Sequence, residues 1–157
     1  MITKELSVIF PIYNEQETIK ETLLEWKDAL DKLQIKYEII LAEDGSTDNT
    51  KNILNDLLIN NKDLFVSNIE DKKRGYANAI RSSVKIAKGK YILNVDSDGQ
   101  CDPKDFINFW EKRDLLENGI IIGHRFNRKD SLQRLLMSRF FLILHRILFF
   151  SKVKDPS

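Results

Sequence analysis

Five short apolar runs, each ending on polar or acidic residues, constrain this chain more than any other feature. They fall at residues 6–13, 37–42, 64–67, 91–95 and 119–123. Between them the apolar residues recur with helical spacing. Asn14 or Glu15 starts a predicted helix with Ile19, Leu23, Leu30 and Leu33 on one face and Trp26 between them. A second helix turns Ile53, Leu54, Leu57 and Leu58 inward. A third carries Ala77, Ala79, Ile80, Val84 and Ala87, with Gly89 as its cap. Pro103 opens a fourth, with Phe106, Phe109, Trp110 and Leu115. Strands that alternate with helices imply an α/β fold: a mostly parallel sheet with helices on both faces. Ligands of such sheets bind beyond the carboxyl ends of the strands. Tyr13, Asp44 and Asp96 each follow a predicted strand, so they are expected to meet on one edge.

The sharpest of these strand ends is Asn94-Val95-Asp96-Ser97-Asp98-Gly99-Gln100. An apolar strand that stops at two carboxylates one residue apart delivers negative charge to the sheet edge. Those carboxylates repel each other unless something positive lies between them. Hard oxygen ligands at this spacing suit a divalent cation whose other positions are filled by phosphate and water. The other reading is a solvated acidic turn, because Asp and Gly are ordinary turn residues. Convergence of the strand ends favours the cation.

The 157-residue chain has a net charge of +1, which gives no reason to expect a nucleic-acid partner. Its charge is uneven, however. Residues 124–157 carry eight basic side chains against Asp130 and Asp155, a composition that suits an anionic partner. Cys101 is the only cysteine, which rules out an internal disulfide and suits a reducing compartment. Residues 131–150 are long, apolar and helical in pattern, but Arg134, Arg139 and Arg146 would be costly at membrane depth. Two readings fit: an amphipathic helix lying in a membrane interface, or a helix packed on a protein core. The domain division drawn from this pattern is 1–130 and 131–157.

Several motifs occur in order: Ser7-Val8-Ile9-Phe10-Pro11-Ile12-Tyr13-Asn14-Glu15, Glu43-Asp44-Gly45-Ser46-Thr47-Asp48-Asn49-Thr50, Arg74-Gly75-Tyr76-Ala77-Asn78-Ala79, Ala87-Lys88-Gly89-Lys90-Tyr91 and Asp96-Ser97-Asp98-Gly99-Gln100. Together they resemble the family 2 glycosyltransferases, and most of all the branch that transfers sugars to dolichyl or other polyprenyl phosphates. Gly123-His124-Arg125, Arg134 followed by Ser138, and the ending Val153-Lys154-Asp155-Pro156-Ser157 resemble later elements of that branch. The branch usually continues past this ending, so a C-terminally truncated chain is expected.

The resemblance implies a Rossmann-like GT-A nucleotide-sugar fold. It implies that Pro11, Tyr13, Glu15, Asp44, Arg74, Gly75, Asp96 and Ser97 bind the donor. Asp96, Asp98 and Gln100 would hold Mg²⁺ or Mn²⁺, with Asp98 the stronger ligand. Arg125, Arg134 and Ser138 would bind an acceptor phosphate, so that Asp98, Arg125 and Arg134 carry the catalytic role. The implied reaction is inverting transfer from a GDP- or UDP-sugar to a polyprenyl phosphate at the cytoplasmic membrane face. Transfer to a glycan hydroxyl of the cell envelope, or donor binding without transfer, are the alternatives. A lipid phosphate is already anionic and needs no general base, whereas a hydroxyl would need one.

Overall fold

The computed structural model describes residues 3–115, 119–121, 137, 139–141 and 143. The chain divides after Arg113 into two units. In the first, β1 (Lys4–Ile12), β2 (Tyr37–Asp44), β3 (Phe65–Glu70) and β4 (Gly89–Asn94) alternate with α1 (Ile19–Asp31), α2 (Thr50–Asn60), α3 (Tyr76–Ile86) and α4 (Pro103–Glu111). The strands form one parallel sheet in the order β3-β2-β1-β4. The chain runs outward from β1 to β3, then returns to lay β4 on the other side of β1. That reversal makes a topological switch between β1 and β4, where open α/β sheets leave a crevice beyond the strand ends.

Strand parity assigns each side chain to a face. Leu6, Val8, Phe10 and Ile12 of β1, with Ile39 and Leu41 of β2, enter the larger core. There Ile19, Leu23, Trp26 and Leu30 of α1, Leu54 and Leu57 of α2, and Phe106 and Trp110 of α4 cover them. Trp26 keys this layer, with its ring edge-on to Phe10 at 5.9 Å and tilted against Phe106 at 6.0 Å. Ile9, Ile40 and Ala42 point the other way, where Ala79 of α3 meets them. Helices therefore lie on both faces, three on one and α3 on the other.

Four local expectations are corrected. The first helix starts at Ile19 rather than Asn14 or Glu15, because residues 14–16 are drawn into hydrogen bonds with the segment after β2. The second strand does not turn at Glu43 but runs through Asp44, held by pairing with Ile69 and Glu70 of β3. Gly89 opens β4 instead of capping α3; a Cβ there would stand 2.4 Å from the Ser7 nitrogen, so only glycine lets the strands approach this closely. Residues 119–121, the described part of the predicted fifth strand, are not in a strand. The Leu115 side chain and residues 122–123 lie outside the described set.

At the amino end of the sheet, Glu38 is buried on the α3 face, 2% exposed. Its Oε1 accepts from the Ser7 hydroxyl and the Lys88 amide, both at 2.6 Å, and Ser7 in turn accepts from the Gly89 amide at 2.8 Å. This network ties β1, β2 and the start of β4 together. Replacing Glu38 by Ala leaves two donors without an acceptor, which is expected to cost about 2–4 kcal/mol. Urea unfolding should report that loss, and Glu38→Gln, which keeps an acceptor, should lose less. Among the described residues no helix is long and apolar enough to cross a membrane.

Candidate donor-binding site

The parity that builds the core also builds the site. Because β2 continues through Glu43 and Asp44, these neighbouring carboxylates face opposite sides of the sheet. Glu43 is fully buried on the α2 side. It accepts from the amides of Gly45 (3.2 Å) and Ser46, and Lys51 of α2 lies 3.7 Å away. Its role is to fold the turn after β2. Asp44 points toward α3 and accepts from the amides of Arg74 (2.7 Å) and Gly75 (2.8 Å). It therefore anchors the loop that leads into α3.

That anchoring engages two residues that the resemblance assigns to the donor. The Arg74 and Gly75 amides at the start of α3 are not open donors, since the Asp44 carboxylate takes both. The Arg74 guanidinium pairs with Glu70, so its charge is also engaged. Gly45 completes the seat: its φ is +76°, and a Cβ would lie 2.5 Å from the Lys73 nitrogen. The loop is thus held by backbone contact at Lys72 and Lys73 and by hydrogen bonds at Arg74 and Gly75.

Tyr13, half-buried past the end of β1, lies under this loop, with the Lys73 ammonium 3.5 Å from its ring centroid. Glu15 is tied to its own turn: Oε2 accepts from the Thr18 hydroxyl at 3.0 Å, and its amide donates to Thr50 Oγ1 at 3.0 Å. Asn14, at φ 54°, takes a left-handed conformation that Asn tolerates better than most residues. From there its Oδ1 accepts from the Thr47 amide at 2.8 Å. The loops after β1 and β2 are therefore fastened to each other.

The acidic tip follows β4 on the same edge. Ser97 is buried and donates to the Pro11 carbonyl at 2.8 Å, which fixes the tip to β1. This gives Pro11 and Ser97 a framing role. Asp96 is half-buried and accepts from the Tyr76 hydroxyl at 3.2 Å, while Asn94 donates to that same hydroxyl at 3.0 Å. Burial, with the nearby Asp96 charge, raises the Tyr76 pKa against the opposing Asn94 hydrogen bond. Asp98 and Gln100 are exposed, and Asp98 accepts from the Gln100 amide at 3.0 Å, a turn that aims Asp98 outward. The contacts close into a ring: Pro11 to Ser97, Asp96 to Tyr76, Gly75 to Asp44, and Lys73 to Tyr13.

The donor set fits a hard divalent cation. Among the described residues no cationic side chain pairs with Asp96 or Asp98. Nor does a group of three or more His, Cys, Asp or Glu side chains gather into a metal site there. Two carboxylates and an amide oxygen would leave the remaining positions to phosphate and water, as Mg²⁺ sites commonly do. Arg125, Arg134 and Ser138 lie outside the described residues. Sequence reading missed Asn14, Glu43, Lys73 and Tyr76 as site-builders. Tyr76 carried a signal, since it stands directly after Gly75 inside a recognised motif.

A parallel α/β domain with an acidic edge at the β1/β4 switch places that edge where open α/β sheets bind their ligands. The chain belongs to glycosyl transferase family 2, whose family model matches residues 7–155. It is 32% identical over 134 residues to an undecaprenyl-phosphate 4-deoxy-4-formamido-L-arabinose transferase from Pseudomonas fluorescens (strain SBW25). That match covers 85% of this chain and 39% of the relative, so the chain spans well under half of that protein's length. Among solved structures, glucosyl-3-phosphoglycerate synthase from Mycobacterium tuberculosis, in complex with Mn²⁺, UDP and phosphoglyceric acid, superposes with a TM-score of 0.63 at 24% identity. The match covers 98% of this chain and 53% of that one. S. aureus TarS 1-349 in complex with UDP gives 0.50 at 27% identity, over 69% of this chain and 32% of that one. The fold is that of the GT-A enzymes.

Proposed function

We propose that this chain belongs to a metal-dependent, inverting glycosyltransferase that moves a sugar from a nucleoside-diphosphate sugar to a polyprenyl phosphate. One observation carries the reading above all: two carboxylates, Asp96 and Asp98, which no cationic side chain pairs among the described residues, follow β4 at the sheet's switch point. The base stacks on Tyr13, and the diphosphate lies toward Asp96 and Asp98. Mg²⁺ or Mn²⁺ bound by Asp96, Asp98 and Gln100 would supply Lewis-acid stabilisation of the leaving diphosphate. Asp44, Ser97 and Pro11 keep the pocket walls in register, and Tyr76 orients Asp96.

The acceptor belongs to the second part of the chain. Arg125, Arg134 and Ser138 are assigned to the acceptor phosphate, where guanidinium groups hold it and offset charge. Residues 131–157 would present that site at the cytoplasmic face of a membrane. Met137, Arg139, Phe140, Phe141 and Ile143 are helical and exposed, which supports an apolar, basic surface suited to a lipid interface. The relative from P. fluorescens bears a lipid-phosphate acceptor in its name, which favours this acceptor over a glycan hydroxyl.

The test is transfer of labelled sugar from UDP- or GDP-sugars to undecaprenyl phosphate in detergent with Mn²⁺. Solvent-extractable label is expected; label appearing only in glycan acceptors would contradict the acceptor assignment. A second reading, which rests on the donor-side edge alone, is donor binding without transfer. Nucleotide binding measured by calorimetry, with no turnover for any acceptor, would select it.

A further inference from the structure

Lys73 is placed in an unusual way. Its backbone cannot move far, because Gly45 packs against Lys72 and Lys73 and Asp44 holds the next two amides. Its side chain is exposed, and its ammonium rests on the Tyr13 ring at 3.5 Å. Among the described residues no carboxylate pairs with it, whereas the neighbouring Arg74 is paired with Glu70. A flexible cation on a fixed base thus covers the ring on which the base is proposed to stack.

We propose that Lys73 is a specificity-determining residue that competes with the nucleobase for Tyr13 and is drawn away by the donor's diphosphate. This rests on the nucleotide-sugar reading above. A ligand with a base but no phosphate must displace the ammonium and offers it nothing in return. A ligand that also brings a diphosphate gives the displaced ammonium a stronger partner, reached by swinging a four-carbon stem. The site would therefore reject nucleosides and accept nucleoside diphosphates, with the discrimination built from one side chain. A cation–π contact at an exposed site sets the size of the first effect. A charge-assisted contact to phosphate sets the second.

Calorimetry with the full chain, using uridine and UDP and in parallel guanosine and GDP, tests this through opposite signs. In Lys73→Ala, nucleoside affinity is expected to rise about two- to five-fold. Diphosphate affinity is expected to fall about ten-fold. Affinities that fall together, or that both stay unchanged, in a variant with the wild-type thermal melt would overturn the role of Lys73 alone. A wild-type chain that binds none of the four ligands would remove the nucleotide reading and this inference with it. Lys73→Gln keeps much of the stem without the charge. It should repeat both shifts, and failure to do so counts against the inference even if the alanine variant proves unstable.

Discussion

Asp98→Ala is expected to leave the fold intact and to remove the metal's contribution to donor binding and transfer. Asp98 is exposed and its carboxylate makes one described contact, to the amide of Gln100 in its own turn. Nothing in the core depends on it, so thermal unfolding should change little. In the proposed mechanism Asp98 would help hold a divalent ion, which would supply Lewis-acid stabilisation of the leaving diphosphate, an effect worth several kcal/mol. Turnover should fall by about 10²- to 10³-fold, in line with losses of other pre-organised charge stabilisers. The dependence of nucleoside-diphosphate affinity on Mn²⁺ should flatten in the same variant. Asp98→Asn should lose most of both, since the amide offers one neutral oxygen in place of a charge. A variant that keeps full metal-dependent activity would remove Asp98 from the metal site.

Gly45→Ala should do the reverse, acting first on structure. The added Cβ meets two penalties. The left-handed backbone at φ +76° costs about 1–2 kcal/mol for a residue with a side chain. Contact at 2.5 Å with the Lys73 nitrogen and 2.6 Å with the Lys72 carbonyl carbon forces backbone, not a pliable side chain, to move. Overpacking of that kind adds about 1–3 kcal/mol. The expected loss in urea unfolding is therefore about 2–5 kcal/mol. If the sheet survives, the loop 71–75 must lift, so Asp44 loses its two amides and Lys73 leaves Tyr13. Amide exchange at Arg74 and Gly75 should accelerate far more than exchange in β1. Equal acceleration everywhere would mean that Gly45 supports the fold globally rather than seating this loop.

Much of the architecture was legible because buried parallel strands leave apolar runs that few other structures share. The runs around Val8, Ile39 and Leu93 gave the sheet, and the spacing of Ile19, Leu23 and Trp26 gave a helix against it. What spacing could not give was where strand pairing ends. Glu43 and Asp44 look like turn residues, yet pairing with β3 keeps them in β2, and that one difference sends them to opposite faces. The same rule, applied once the strand limits are known, puts Asp44 and Asn94 on the α3 side, where Asp96 meets Tyr76 of α3 and Tyr13 meets Lys73 of the loop before it. The early helix start at Asn14 failed for a different reason. Side-chain hydrogen bonds between residues 14–16 and 46–50 join segments about thirty positions apart, and no local pattern encodes them. Lys73 reads in sequence as one cation in a charged loop; only the turn at Gly45 brings it over Tyr13.

The Arg74 and Gly75 amides donate to Asp44, and the Arg74 guanidinium pairs with Glu70. Among the described residues no cationic side chain pairs with Asp96 or Asp98. The central claim is therefore that a divalent ion and a diphosphate meet there, on the α3 side of the β1/β4 switch. Anomalous diffraction from crystals of the chain grown with UDP and Mn²⁺ tests it most directly. The account predicts a manganese peak within bonding distance of the Asp98 carboxylate, with the diphosphate on its other side and the base at Tyr13. Nucleotide bound at this edge with no manganese peak beside Asp98, or manganese and nucleotide bound elsewhere, would contradict it.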